Sequence, residues 1–504
     1  MQLSELLSGV ETVSVFADTA HAIADIVSDS RLAGRDSLFI CLSGTRRDGH
    51  RYIADAMARG AYAAVIRAGE SIPDGVPYIA VQDTRLAAAL IWNNRYGDPT
   101  RGMRVIAVTG TNGKTSVSYM LRAILKEAGY KTGMIGTVSC ESIDRVIDLG
   151  GGGELSDTPA AMTTPDPQYL YGAAAQMRDD GVEVLILEAS SHALDQRKLD
   201  AMHIDLAVFT NLSEEHLDYH GTLERYLAAK ARLFALAPIG IVNAGDPYAK
   251  ELEELAPTCR FIRCGTDAED APDMDAAAMR IRMHGAEGIS YIYYAKTVVF
   301  RVRVPVPGHF TVENTLLAIT AARMLSVDPV TVQDALASFG GVAGRMQRVD
   351  LPGAPFTLFI DYAHTPAALE TLLRTVRDVR RRGQKITLLF GCGGDRDPGK
   401  RPVMGRIASS LADFVILTAD NSRSENPASI LRDILRGVNR ERPHTVIPDR
   451  REAIAYAVGQ ARAGEILLFA GKGHETYEIT ADGKFPFDEA EIARAAWTAR
   501  QSKR

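Results

Sequence analysis

One junction constrains this chain more than any other. An apolar run, Val105-Ile106-Ala107-Val108, passes directly into Thr109-Gly110-Thr111-Asn112-Gly113-Lys114-Thr115-Ser116 and then into the helix-patterned Val117-Ser118-Tyr119-Met120-Leu121. A short apolar run closed by a glycine turn reads as a buried strand, and a strand feeding a helix through such a turn belongs to a parallel α/β sheet. The turn also has a chemistry. Glycines let backbone N–H groups face an anion, a helix N-terminus favours negative charge, a lysine reaches terminal phosphates and a threonine hydroxyl can meet Mg²⁺. The common phosphate loop has a further glycine two places before Gly110, where Val108 stands, so this is a shortened form. The plainer reading, a glycine-rich turn with a surface lysine, leaves the flanking strand and helix without a purpose.

The remaining sequence extends the α/β pattern over several domains. A chain of 504 residues exceeds one compact core and fits two to four domains. Residues 1–101 carry short apolar runs at 37–42 and 63–66 and read as a small α/β unit, with the turn cluster Gly97-Asp98-Pro99-Thr100 as linker. Residues 102–342 alternate apolar strands (184–187, 206–209, 241–243) with helical segments, the pattern of a parallel sheet covered by helices. Their last part, 288–306, alternates polar and apolar side chains and predicts antiparallel edge strands. Residues 343–504 hold a third βα series, with apolar runs at 357–360, 386–390, 414–417 and 466–469. The glycines at 150–153 read as a flexible insertion and the acidic stretch 267–275 as a solvated loop.

Composition excludes some partners. Lys+Arg of 57 against Asp+Glu of 63 gives a formal charge of -6, so nothing draws the chain globally to nucleic acid or an anionic membrane, and phosphate must be held locally. The five cysteines are scattered without a C-x-x-C pair, as in a reduced cytosolic protein. No basic n-region with an apolar h-region opens the chain and no apolar run spans a bilayer, which predicts a cytoplasmic protein without membrane insertion.

Polar residues recur at the ends of apolar runs. Glu188-Ala189-Ser190-Ser191-His192 follows one, and Thr210-Asn211-Leu212-Ser213-Glu214-Glu215-His216-Leu217-Asp218-Tyr219-His220-Gly221 another. A carboxylate and an imidazole there suit a hard cation near phosphate. Taken alone, Glu188 or His216 reads as a hydrogen-bonded structural group. The helix 226–234 is an ordinary amphipathic pattern, and a lone Lys230 on it reads as solvated.

The shortened G-T-N-G-K-T loop, with the segments after it, resembles the Mur ligases and their relatives the folylpolyglutamate synthases over nearly the whole chain. The resemblance implies three α/β domains: a UDP-binding one (1–101), a central phosphate-loop ATPase (102–342) and a Rossmann-like amino-acid-binding one (343–504). It implies an ATP- and Mg²⁺-dependent, ADP-forming ligase that phosphorylates a UDP-N-acetylmuramoyl dipeptide ending in D-glutamate and adds a diamino acid. Apart from the resemblance, a monomer is the expectation. ATP then falls to Gly110, Thr111, Asn112, Gly113, Lys114, Thr115, Ser116, Asn314, Arg345 and Asp361. Metal falls to Thr115, Glu188, His216 and a carbamylated Lys230, an anion where an ammonium would repel metal. Lys114, Glu188, His216, Lys230 and Arg345 form the catalytic set.

The same resemblance gives the UDP substrate to Ser30, Thr163, Thr164, Ser190, Gln196 and Lys198. Met162 stands where relatives often have Asn, and Lys198 where they have Arg. The incoming amino acid falls to Arg396, Asp420, Asn421, Ser422, Arg423, Gly471 and Glu475. Arg423 predicts meso-diaminopimelate, whose second carboxylate needs a cation, over L-lysine or ornithine. Relatives selective for diaminopimelate read Asp-Asn-Pro-Arg in this loop, and Ser422 in place of the proline predicts a less rigid loop. A folylpolyglutamate synthase, or a nucleotide-regulated switch protein making no bond, are the rival readings. Asp29-Ser30-Arg31 argues against the first.

Overall fold

The computed structural model describes residues 1–44, 48–148, 162–266 and 274–502. The insertion expected at 150–153 and all but the last two residues of the acidic stretch 267–275 lie outside these described residues. The chain divides into two compact units, Met1–Lys114 with Gly129–Arg263, and Thr115–Ala128 with Cys264–Arg504.

The first unit begins with β1 (Thr12–Phe16), β2 (Asp25–Val27), β3 (Ser37–Ile40), β4 (Ala61–Arg67) and β5 (Tyr78–Val81), ordered β1-β5-β4-β3-β2. Only β1 runs antiparallel to its neighbour; the other pairings are parallel. There follow β6 (Arg104–Thr109), β7 (Thr132–Ile135), β8 (Cys140–Ser142), β9 (Arg145–Val146), β10 (Val184–Glu188), β11 (Leu206–Phe209) and β12 (Ile239–Asn243). They are ordered β12-β11-β6-β10-β7-β8-β9. The five strands from β12 to β7 are parallel. Their Val/Ile/Leu/Ala sequences are buried almost without interruption, as strands with both faces covered require. Register brings their ends level: Glu188 pairs with Val108 and Phe209 with Thr109, so three polar loops open at one edge.

In the second unit β13 (Arg260–Thr266) ends alongside β14 (Ala276–Met283), followed by the antiparallel β15 (Ile289–Ala295) and β16 (Val298–Val304), the last an edge strand as the alternating pattern predicts. A six-stranded sheet follows. It comprises β17 (Gln347–Val349), β18 (Thr357–Asp361), β19 (Ile386–Phe390), β20 (Phe414–Leu417), β21 (His444–Val446) and β22 (Ile466–Ala470), ordered β17-β18-β22-β19-β20-β21. All but β17 run parallel, and helices on both faces bury two apolar clusters, one around Leu373, Leu388 and Phe390, the other around Ile454, Phe469 and Trp497. A hairpin of β23 (Tyr477–Thr480) and β24 (Gly483–Pro486) precedes the final helix Glu489–Gln501.

That final helix is anchored by a buried ion pair. Arg450 Nε donates to Glu489 Oε1 at 2.8 Å, while its two terminal nitrogens donate to the carbonyls of Ala419 at 3.1 Å and Ala470 at 2.9 Å. Removing one partner of such a pair strands a charge in a low-dielectric interior. Glu489→Leu should therefore cost about 3–5 kcal/mol, read as a lowered urea midpoint for unfolding, and the double variant with Arg450→Leu should recover part of that loss.

Candidate functional site

The loop after β6 is built for glycine. Gly110 has φ 147° and Gly113 φ 88°, both reserved in practice for a residue without Cβ. A Cβ on Gly110 would overlap the Thr210 hydroxyl. Close approach comes from the loop after β11, which braces the first: Thr111 N–H donates to Asn211 O at 2.8 Å, Asn112 N–H to Asn211 Oδ1 at 2.9 Å, and Asn211 Nδ2 and Thr210 Oγ1 both donate to Asn112 O. Lys114 opens the helix Lys114–Glu127 and curls its ammonium onto the carbonyls of Gly110 and Thr111 at 2.9 and 3.0 Å. Thr115 and Ser116 follow on the helix, Thr115 buried.

The expected metal residues of the first unit share surroundings. Glu188, at the end of β10, is fully buried, and Thr137 Oγ1 donates to its Oε2 at 2.8 Å. His216 adopts φ 56° just before the helix Leu217–His220, and its ring sits edge-on to that of His192, with centroids 4.9 Å apart. Burial, then the neighbouring imidazoles of His216 and His220, push His192 down to about 4. Burial also pulls His216 and His220 below the usual histidine range. All three rings are thus neutral near pH 7, the form in which imidazole ligates metal.

Lys230 corrects the expectation of a solvated lysine. Its helix, Leu223–Leu236, turns it inward: it is 1% exposed, its Nζ lies 4.3 Å from the Tyr226 ring centre, and burial first, then Lys114, holds its ammonium well below the usual lysine value. The helical pattern could not show this, because an inward lysine and an outward one occupy the same sequence period. A neutral buried amine is the species that adds to carbon dioxide, so the residues present fit a carbamate and, with Glu188 and neutral His216, a hard cation.

The expected UDP-substrate residues gather in part. Thr164 Oγ1 donates to Glu188 O at 2.7 Å and lies 3.2 Å from Ser190 Oγ, and Ser190 caps the helix Ser191–Asp195. The Thr163 and Thr137 hydroxyls are 3.0 Å apart. Gln196 Nε2 donates to the Tyr219 hydroxyl at 3.4 Å, and Tyr219 donates onward to Asp195 at 2.7 Å. Lys198 is buried against Asp166 at 2.6 Å, with the Met162 sulfur 3.7 Å from its Nζ. Ser30 lies instead beside the N-terminal sheet, in the turn Ser30–Leu32, hydrogen-bonded to Asp55. Sequence reasoning missed Thr137, whose hydroxyl joins Thr163 to Glu188; it sits in an undistinguished turn after β7 with no motif to flag it.

In the second unit Asn314 is buried on the helix His309–Met324. Asp361, at the end of β18, accepts from the backbone N–H of Met346 at 2.8 Å and of Ala363 at 2.9 Å. Arg345 stacks over the Tyr362 ring at 4.9 Å. The loops after β19, β20 and β22 open from three adjacent strands and interlock. Arg423 Nη1 donates to Gly394 O at 2.9 Å, and Gly393 lies beside both Arg423 and Arg396. Asn421 Nδ2 donates to Glu475 Oε2 at 2.6 Å. Burial pushes the Asp420 carboxyl up, but Lys472 and Arg450 outweigh it and hold the group below the usual range; Glu475 is raised by burial and by Asp420. Gly471, with φ 113°, abuts the Asp420 carboxylate. These loops are no scatter of surface salt bridges: Asp420, Asn421 and Ser422 are all buried.

The loop expected to slacken for want of proline is held otherwise. Ser422 is 3% exposed with its carbonyl against Gly394, and Arg423, at φ 51°, donates its backbone N–H to Ile479 O of β23 at 3.1 Å.

Comparison with known proteins places this geometry. The Mur ligase middle domain matches residues 108–322, and the Mur ligase glutamate ligase domain residues 344–473. UDP-N-acetylmuramoyl-L-alanyl-D-glutamate--2,6-diaminopimelate ligase of Geobacillus kaustophilus (strain HTA426) is 40% identical over 506 residues, 98% of this chain and 99% of that protein. A solved structure of a ligase with the same name superposes with TM-score 0.70 at 30% identity, covering 99% of both chains. Mycobacterium tuberculosis folylpolyglutamate synthase, solved with ADP and AMPPCP, shares the fold at TM-score 0.60 and 20% identity, over 82% of this chain and 95% of its own.

The depressed histidines give a direct check. In an NMR titration of the folded protein His192 should remain neutral down to about pH 4, with His216 and His220 titrating below 6.5. Because the unfolded chain takes up these protons first, stability should fall as pH drops below the usual histidine range.

Proposed function

The chain belongs to the Mur ligase family, and from that premise we propose that it joins 2,6-diaminopimelate, in its meso form, to UDP-N-acetylmuramoyl-L-alanyl-D-glutamate at the expense of ATP. The observation that carries the choice of amino acid is Arg423. It is retained, and its guanidinium is seated where the three loops interlock, within reach of Gly394. Diaminopimelate presents a distal carboxylate to such a group, whereas lysine or ornithine would bring another ammonium beside it and no counter-charge.

In this reading ATP phosphorylates the free D-glutamyl carboxylate, and the amino group of diaminopimelate then attacks the acyl phosphate, forming the amide and expelling phosphate. Lys114 and the backbone N–H groups of Gly110 and Gly113 neutralise the transferring phosphoryl group, with Thr111, Asn112 and Ser116 beside them, Asn314 and Asp361 contact the nucleotide, and Arg345 offsets charge at transfer. Mg²⁺ would rest on the Thr115 hydroxyl, Glu188, His216 and a carbamate on Lys230, supplying further neutralisation of phosphate charge. Ser30, Thr163, Thr164, Ser190, Gln196 and Lys198 receive the UDP dipeptide. Arg396 pairs with the carboxylate next to the attacking amine, Glu475 accepts the distal ammonium, and Asp420, Asn421, Ser422 and Gly471 complete the pocket.

The three functional segments, 1–101, 102–342 and 343–504, are supported by the strands themselves, which fall at 12–81, 104–304 and 347–486. No described helix is long and apolar enough to cross a membrane. In this reading the protein acts on its precursors as a monomer in the cytoplasm.

Mass spectrometry of a mixture of protein, ATP, Mg²⁺, the UDP dipeptide and each amino acid in turn should show a ligated product with diaminopimelate; preference for lysine or ornithine with Arg423 intact would overturn the choice. Lys114→Ala should lower turnover on the order of 10²–10³-fold without shifting the melting temperature, since its ammonium is seated on the loop carbonyls of Gly110 and Thr111. Lys230→Ala should remove most activity, and a short carboxylic acid should restore part of it by replacing the lost oxygens; full activity without the additive would end the carbamate assignment.

A further inference from the structure

Lys472 has no role in the mechanism above, yet among the described residues it is the most completely enclosed cation of the third βα series. It is 0% exposed, in the loop directly after β22. Its ammonium has three N–H groups and meets three oxygens: Asn421 Oδ1 at 2.8 Å, Tyr477 O at 2.9 Å and Asp420 Oδ1 at 3.7 Å. A second donor reaches the same amide oxygen, the backbone N–H of Ile479 at 2.9 Å. An ammonium and a backbone N–H can only donate. The atom they both address must therefore be the oxygen of Asn421, and the usual ambiguity in orienting an amide side chain does not arise here.

That orientation has a consequence one atom further on. With its oxygen filled, Asn421 turns its NH₂ toward Glu475 and donates to Oε2 at 2.6 Å. An amide NH₂ can be received only by an oxygen lone pair, so Glu475 is favoured as the carboxylate, with Oε1 left for a cation. Were the amide reversed, its oxygen would face Glu475 and the bond would require a protonated, neutral carboxyl. Burial and Asp420 already push Glu475 in that direction.

We propose that Lys472 is a positioning and specificity-determining residue: by fixing the polarity of the Asn421 amide it keeps Glu475 an acceptor, and so makes the pocket demand an amino acid with a distal ammonium. This rests on the proposed function only in taking Asn421 and Glu475 as the receptor of the diamino acid. Lys472 acts through Asn421 and touches no reacting atom.

The test separates selectivity from chemistry. 2-Aminopimelate has the chain and both carboxylates of diaminopimelate but lacks the distal ammonium. Hydroxylamine traps the acyl phosphate as a hydroxamate and needs no amino-acid pocket. The wild type should prefer diaminopimelate over 2-aminopimelate by about 100-fold or more in kcat/KM, as a site with a buried polar receptor does. Lys472→Met should shrink that preference by about tenfold or more, through a raised KM for diaminopimelate, while hydroxamate formation stays within about twofold. Lys472→Gln, which keeps a shorter donor, should fall between the two, and it carries the test should the methionine variant not fold. Unchanged preference in a folded variant, or hydroxamate formation falling in step with ligation, would overturn the proposal. A wild type that ligates no diamino acid while still forming hydroxamate would instead refute the proposed substrate and leave this inference without a pocket to act on.

Discussion

Parallel pairing in register is the constraint on which the rest depends. A parallel strand returns to the same edge each time, so every loop that follows one opens on the same side. In the first unit the pairing of Glu188 with Val108 and Phe209 with Thr109 brings the phosphate-type loop, the 189–192 segment and the 210–216 segment to one level. In the second, Ala470 pairs with both Asp361 and Phe390, and Phe390 with Leu417. Slipping any of these strands by one residue would exchange the side chains packed against its two covering layers and move its loop off the edge. Burial therefore enforces the alignment, and the site chemistry inherits it.

Once the loops share an edge, they hold one another by obligatory backbone hydrogen bonds. Thr111 and Asn112 lean on Asn211; Arg423 and Asn421 lean on Ile479. Arg450 performs a related task beneath the second set, binding the carbonyls of Ala419 and Ala470, each one residue ahead of a site loop. A charge fully removed from water, with five donors in a fixed fork, can hold both carbonyls and the Glu489 carboxylate at once.

Much of this was legible in the sequence because periodicity and motif spacing report strands and the loops after them. The parallel series, the edge strands after 288, the shortened phosphate loop and the three loops of the C-terminal sheet all carry such signals. What was not legible depends on which way a side chain points. Lys230 reads as a surface lysine because one helical position says nothing of the neighbours across the fold. Thr137 and Lys472 gain their significance only from partners 26 to 51 residues away, Thr163, Glu188 and Asn421.

The loop with Ser422 in place of proline shows how far local rules reach. Proline restricts φ and removes a donor, so its absence predicts freedom when the loop is considered alone. Here freedom is withdrawn by contacts from elsewhere: Gly394 presses on the Ser422 carbonyl, β23 takes the Arg423 N–H, and Asn421 is tied by Lys472 and Ile479. Arg423 sits at φ 51°, a strained value for an arginine, and such a value persists only where the surroundings over-determine it. The aim of its guanidinium toward Gly394 follows from that over-determination. A proline would have restricted the same loop through its own ring; in this chain tertiary hydrogen bonds do so, and the proposed preference for a second carboxylate on the substrate would therefore depend on the β23 hairpin as much as on the arginine itself.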